Sequence, residues 1–406
     1  MTESIDRRLA DYIAQAYANA PAVKARFDAA GLSPDDVTAV ADLHKVPILP
    51  KDDVVKLQQA DPPFGGMLGV PMSQVRHIFF SPGPIYEVDA GNDDSATRMA
   101  QAALARSGFS PGDVVLNTLS YHLVPAGLLL DRALVEMGCT VVPGGVGNGE
   151  LQVKMMADLG VTGYVGTPSF LMALLTKAEE MGLAPPELTK SLVTAEPLPP
   201  SMRQVFVEKY GISVGNAYAT AELGFLALNS GGGLPMALLP EPIVQVVDPH
   251  TGQSVGAGEA GEVVVTTLDP AYPLIRLGTG DMAVNLDPAP GESSQNQRAI
   301  ILVGRSGEAV KVRGMFVHPN QLRFAVGQFA PIQAIQGIVT RPEPGRDHFA
   351  VRVALVDASL AGPGLAEIMQ DAIRQNCRVR ADELTFVAAD TLPPGTPGMV
   401  DERSWK

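Results

Sequence analysis

Cysteine is scarce in this 406-residue chain, which holds two, Cys139 and Cys377. They stand far apart in apolar or mixed surroundings, which excludes a thiolate metal cluster or a disulfide framework and fits a reducing, cytoplasmic setting. Basic charge is short as well, with 30 Lys and Arg against 44 Asp and Glu for a net charge of −14. A nucleic-acid partner would need clustered cations on one face, so that class is excluded and any anionic ligand must be met by local groups. Long apolar runs are missing too, none approaching the roughly 20 residues that span a bilayer. The segment 1–20 mixes Glu3, Asp6, Arg7, Arg8 and Asp11 with apolar positions at helical spacing. That is unlike a basic head followed by an apolar signal core, so neither a membrane partner nor export is expected.

What the chain does have is 46% apolar residues, 18% charged residues, 41 Gly and 34 Pro. Such a composition fits a compact, loop-rich α/β enzyme, and the length exceeds what one hydrophobic core usually supports. Residues 1–60 read as a helical lead-in, with Ser33-Pro34-Asp35-Asp36 placing a cap, a first-turn proline and two acids at a helix start. From 76 to 225, apolar runs such as Val114–Leu119, Thr140–Pro143, Gly163–Val165, Leu192–Ala195 and Val214–Tyr218 alternate with amphipathic stretches. Regular alternation predicts a mainly parallel sheet covered on both faces, with ligands at the carboxyl ends of its strands. From 240 to 304 the strands lose their helices and predict a small, barrel-like antiparallel β subdomain. Residues 305–406 predict a small α+β domain, so the expected division is 1–304 and 305–406.

Two motifs near the last third carry the most chemical information. The first is Tyr272-Pro-Leu-Ile-Arg276-Leu-Gly278-Thr279-Gly280-Asp281, and the second is Gly304-Arg305-Ser-Gly-Glu-Ala-Val-Lys311-Val-Arg313-Gly314. A carboxylate after a Thr-Gly turn can accept from two ribose hydroxyls, and an arginine after a tight glycine turn can donate to the same sugar or its phosphate. The segments Thr167-Pro168-Ser169, Thr194-Ala195-Glu196-Pro197 and Asn216-Ala-Tyr218-Ala-Thr220-Ala-Glu222 fall at predicted strand ends.

Read in order, these motifs resemble the acyl-adenylate-forming superfamily, and within it the phenylacetate-CoA ligase branch. The likeness runs from Val46-Pro-Ile-Leu-Pro-Lys51-Asp52-Asp53 and Pro63-Phe64-Gly65-Gly66 to Val317-His318-Pro319. It implies a large N-terminal domain, a mobile C-terminal lid, and the conversion of an aryl or other small carboxylic acid to its CoA thioester. ATP and acid give an acyl-adenylate, magnesium offsets charge repulsion, and the CoA thiolate displaces AMP. Through the resemblance, Asp281 holds the ribose hydroxyls, Arg305 contacts ribose or phosphate at the hinge, Tyr218 packs on adenine, and Glu222 sits beside the metal. Ala195, Glu196 and Pro197 run along the nucleotide, while Ser81, Gly83 and Thr220 belong to its phosphate side. Lys311, Arg313 and Gly314 form the loop that serves thioester formation, and Tyr121, His122, Gly145 and Gly147 enclose the acid. A homodimer is the expected assembly.

Each assignment has a plainer counterpart: a turn-capping aspartate for Asp281, a surface ion pair for Arg305, a helix-first-turn carboxylate for Glu222. A solvent-facing loop is the counterpart for Glu196, a hairpin glycine for Gly314, and a structural histidine for His122.

The chain also departs from the family. The phosphate loop, elsewhere rich in hydroxyls and ending in lysine, reads Phe80-Ser81-Pro82-Gly83-Pro84-Ile85-Tyr86-Glu87, with a carboxylate where the ammonium would lie. Ala221 replaces a hydroxyl residue, Gly307 a hinge aspartate, and Pro397 aligns with the C-terminal lysine used in adenylation. These marks define a divergent subgroup with a degenerate phosphate loop. They leave two rivals: an impaired nucleotide- or acyl-CoA-binding protein, and an enzyme that performs only acyl transfer from a preformed acyl-adenylate. Cysteines are lacking at 286–298, so no zinc is expected there.

Overall fold

The computed structural model describes residues 4–81, 84–91, 95–183, 187–249, 251–257, 260–287, 294–305, 310–313, 315–317, 319–343, 346–377 and 379–403. The chain divides into two compact units, Met1–Ser306 and Gly307–Lys406.

The first unit opens with α1 (Ile5–Asn19), whose N-cap Ser4 accepts from the Arg7 amide, and α2 (Pro21–Ala29), started by a proline that needs no amide partner. A short strand β1 (Leu49–Pro50) leads straight into α3 (Lys51–Ala60), and the hairpin of β2 (His77–Ser81) and β3 (Ile85–Asp89) follows. Then come α4 (Ser95–Arg106), β4 (Val114–Asn117), α5 (Ala126–Glu136), β5 (Thr140–Pro143), α6 (Gly149–Asp158), β6 (Gly163–Gly166), α7 (Pro168–Glu180), β7 (Lys190–Val193) and β8 (Ser213–Thr220). After β8 the crossovers stop, and β9 (Gly224–Asn229), β10 (Met236–Leu238), β11 (Ile243–Val247), β12 (Ala260–Thr266), β13 (Leu277–Asn285) and β14 (Ala299–Arg305) are joined by loops.

Strands β5-β4-β6-β7-β8 pair in parallel, as the alternation predicts. Along each, neighbouring side chains go to opposite faces: Val115, Val165 and Leu192 pack under α4 and α5, whereas Leu116, Tyr164 and Val193 pack under α6 and α7. Burial on both faces is why these strands read as continuous apolar runs. The antiparallel strands join the same twelve-stranded sheet, continuing from β8 through β9, β10, β14, β13 and β12 to β11, with β1 pairing in parallel with β13.

The strand β13 carries the Thr-Gly-Asp motif, and its shape follows from small residues. Gly280 holds a positive φ of 71°, and a Cβ on Gly278 would meet Glu262 Oε1 at 2.7 Å. The register between β12 and β13 slips between Glu262 and Val264, a bulge that falls midway along β13. Arg276, just before β13, is fully buried and donates to the carbonyls of His44, Val46 and Gly252 at 3.1, 2.7 and 2.6 Å. Burial lowers its pKa to about 10, and the three carbonyls compensate the buried charge while tying the lead-in segment to the sheet.

The second unit has a hairpin of β15 (Val310–Val312) and β16 (Met315–Val317), then α9 (Pro319–Gly327), β17 (Ile332–Glu343), β18 (Arg346–Leu355), α10 (Pro363–Cys377), β19 (Glu383–Phe386) and β20 (Met399–Asp401). Its four-stranded sheet runs β19-β18-β17-β20. Val339, Phe349, Val351 and Val353 form its core with Leu322 of α9 and Met369 and Ile373 of α10. No helix among the described residues is long and apolar enough to cross a membrane.

Candidate active site

The end of β8 and the bend of β13 bring Tyr218 and Asp281 together. Tyr218 Oη donates to Asp281 Oδ2 at 2.7 Å, and both residues are buried. The Asp281 amide donates to Thr279 Oγ1 at 3.1 Å, and Thr279 Oγ1 donates in turn to the carbonyl of Val263 at 2.8 Å. Glu262 accepts from the Gly280 amide at 3.1 Å, and its pKa is raised, chiefly by burial and then by the charge of Asp281. Asp281 pairs across the sheet with Arg305, so the two motifs of the last third meet as neighbouring strands.

Glu222 lies in the turn between β8 and β9, not in a helix. Its Oε1 meets the Nζ of Lys51, the first residue of α3. Burial pushes the Glu222 pKa up, but the charge and hydrogen bond of Lys51 outweigh it and the net shift is downward, so Glu222 is an anion. Glu87, on β3, is different. Burial and the nearby charge of Glu222 push its pKa up to about 8, against smaller opposing effects of Ser81 and Lys51. The sequence predicts a negative charge at this place, whereas the enclosed position keeps Glu87 a neutral acid at pH 7. Alongside, Gln58 of α3 donates to Tyr272 Oη at 2.6 Å and to the carbonyl of Tyr86 at 2.7 Å, fixing α3 against the hairpin.

Of the buried oxygens in this neighbourhood, Ser81 Oγ, Glu87 Oε1 and Thr220 Oγ1 complete no well-aligned hydrogen bond within the protein, whereas Glu222 Oε1 is taken by the Lys51 ammonium. Ser81 faces Glu87, and Thr220 faces Glu222. Lys51 lies within the segment 46–53, and because its partner Glu222 is distant in the chain no local pattern in the sequence marks the pair.

The other predicted positions are placed as follows. Ala195 holds a strained positive φ of 75°, and the Glu196 carboxylate accepts from the Ser169 amide at 2.7 Å, in the first turn of α7. Pro197 follows Glu196 in the same loop. Tyr121 donates to Asp131 Oδ2 at 2.8 Å and accepts from Asn117 Nδ2 at 2.9 Å, and burial raises its pKa. His122 is exposed, its amide donating to Ser120 Oγ. Gly145 and Gly147 hold φ of 62° and 89°, with open space where a Cβ would stand. In the second unit, Arg313 donates from Nε and Nη2 to the carbonyl of Asp347 at 3.2 and 3.0 Å and from Nη1 to that of Arg380 at 3.2 Å, and it pairs with Asp382. Its guanidinium therefore braces its own unit. Lys311 sits in β15 opposite Phe316. Its side chain, that of Arg305, and Gly83 and Gly314 lie outside the described residues.

The fold is that of adenylate-forming enzymes: 2-hydroxyisobutyryl-CoA ligase, solved in complex with 2-HIB-AMP and CoA, superposes with a TM-score of 0.87 at 23% identity, covering 99% of this chain and 89% of that one. Residues 94–268 match the family model for AMP-binding enzymes. Over most of its length the chain is similar to phenylacetate-coenzyme A ligases. It is 29% identical to the phenylacetate-coenzyme A ligase of Escherichia coli (strain K12) over 373 residues, 87% of this chain and 82% of that protein. It is 26% identical to that of Thermus thermophilus over 394 residues, covering 93% and 86%.

Proposed function

We propose that the protein is an ATP-dependent ligase converting a small, aryl carboxylic acid to its CoA thioester through an acyl-adenylate. The observation that carries the reading is the Tyr218–Asp281 pair at 2.7 Å, a buried carboxylate fixed beside an aromatic ring at the end of the parallel strands. Asp281 would accept from the ribose hydroxyls, and the Tyr218 ring would stack on adenine. The orphaned oxygens of Ser81 and Thr220 are hydroxyls suited to phosphate oxygens. Glu222, an anion beside them, is the carboxylate that would lend an oxygen to magnesium. Among the described residues no three Asp, Glu, His or Cys side chains gather into a metal cage. One carboxylate fits a metal otherwise held by triphosphate oxygens and water, and such a metal neutralises charge on the transferring phosphoryl group.

In this reading residues 1–304 form the adenylate-forming domain and 305–406 the mobile lid that carries Lys311 and Gly314 for thioester formation. The enzyme works in the cytoplasm as a homodimer. The test is product analysis by mass spectrometry with ATP, magnesium, CoA and a panel of aryl and short-chain acids. An aryl-CoA thioester together with AMP supports the reading. Thioester from synthetic acyl-AMP, but never from acid and ATP, would replace it by the acyl-transfer rival, and ligand binding without any product by the impaired binding protein.

A further inference from the structure

The loop that gathers phosphates in related enzymes has no ammonium here, yet an ammonium stands next to it. Lys51 Nζ rests on Glu222 Oε1, its side chain about a third exposed, while Glu222 is almost fully buried. Lys51 is held there by α3, which starts directly after β1, and β1 pairs with β13 at Leu277 and Gly278, a few residues before Asp281. The ammonium is thereby fixed to the strand that carries the ribose carboxylate. Around it lie the Glu222 oxygen it holds, with Thr220 against Glu222, and Glu87 with Ser81 against it; Ser81 Oγ, Glu87 Oε1 and Thr220 Oγ1 complete no well-aligned hydrogen bond. The two hydroxyls can donate to an anion, and the ammonium supplies the positive charge such an anion needs.

We propose that Lys51 is a catalytic residue of this chain, donating from Nζ to the phosphate oxygens of ATP and so providing from α3 the charge that the loop 80–87 lacks. This rests on the nucleotide reading above but assigns a group that reading does not need. Lys51 shares itself between Glu222 in the free protein and the triphosphate in the bound one. No bond is made or broken at the lysine: it offsets charge as carboxylate oxygen attacks the α-phosphorus and pyrophosphate departs with the electron pair of the broken P–O bond.

The experiment compares wild type, Lys51→Met and Lys51→Arg in the full chain, by calorimetric titration with adenosine and with magnesium-ATP, and by acid-dependent pyrophosphate exchange. Lys51→Met should bind adenosine within about twofold of wild type, bind ATP about tenfold more weakly, and exchange pyrophosphate about a hundred- to a thousandfold more slowly. Lys51→Arg should recover part of both losses. Unchanged adenosine binding shows that the site is folded, because Asp281 and Tyr218 serve that half of the ligand. Lys51→Gln, whose uncharged amide can still donate to the Glu222 carboxylate, replaces Lys51→Met should that variant unfold. Wild-type-like ATP affinity and exchange in these variants, or equal losses for adenosine and ATP, would overturn the role of Lys51 while leaving the ligase reading intact. A wild-type protein that binds neither ligand would overturn both.

Discussion

Tyr218 and Asp281 are 63 positions apart in the chain, yet the phenol donates to the carboxylate at 2.7 Å. The phenol fixes the carboxylate midway along β13, beside the bulge at Gly280. Asp281→Ala should weaken adenosine and ATP binding alike, by roughly 1.5–3 kcal/mol, the worth of hydrogen bonds to a charged acceptor. Tyr218→Phe keeps the ring and should cost about 1 kcal/mol or less. Calorimetric titration with both ligands checks the two values. A Tyr218→Phe loss as large as that of Asp281→Ala would contradict the division of labour.

Glu87 makes stability depend on pH in a definite direction. Its pKa rises from 4.5 to about 8 on folding, so the native state holds a proton that the unfolded state releases across that window. Wild type should therefore lose stability as pH increases from about 4.5 to about 8, at up to about 1.4 kcal/mol per pH unit from this group. Glu87→Gln, which cannot ionise, should be increasingly the more stable of the two toward the upper end. Urea unfolding at about pH 5, 6.5 and 8 reads the difference. A gap that stays constant with pH would mean that Glu87 is ionised when folded.

Arg313 should matter for the second unit's integrity. It crosslinks the hairpin turn to the carbonyls of Asp347 and Arg380, and Asp347 also receives Arg341 and Arg403 at 2.9 Å each. Arg313→Ala removes several charge-assisted bonds and should destabilise that unit by about 1–3 kcal/mol. Thermal unfolding of the full chain by calorimetry should show one transition shifted downward. An unshifted trace would free the guanidinium for a ligand role.

Glu196 should prove to be a helix-start residue. Its carboxylate accepts the Ser169 amide at 2.7 Å in the first turn of α7. Glu196→Ala should cost about 1 kcal/mol in chemical unfolding, the usual worth of such a cap. No loss would mean that water replaces it at no cost.

The parallel half of the fold was legible because burial on both faces writes itself as short apolar runs: Thr140–Pro143 is both the predicted run and the observed β5. The strand β13 was not legible as a strand. Its Leu-Gly-Thr-Gly-Asp sequence has poor strand propensity and reads as a turn, and only pairing with β12 and β14 on its two sides extends it. The Asp281 motif could be named from spacing alone. The Lys51–Glu222 contact could not, because it joins the first residue of a helix to a distant turn and leaves no local pattern. The neutrality of Glu87 was equally hidden, since a sequence shows a carboxylate but not the burial that holds its proton. The Glu196 carboxylate is spent on α7, which leaves the backbone of its loop for the nucleotide contact that the motif implies.

The central claim is that this site joins a carboxylic acid to AMP with its own groups, despite the departures at Glu87, Ala221 and Pro397. Exchange of labelled pyrophosphate into ATP by the full chain tests it most directly, with magnesium and an accepted aryl acid supplied and CoA withheld. Label should enter ATP when acid is present, and Asp281→Ala should lower the incorporation at subsaturating ATP in proportion to its weaker binding. Tight ATP binding with no label incorporated for any acid of the panel would contradict adenylation by this protein.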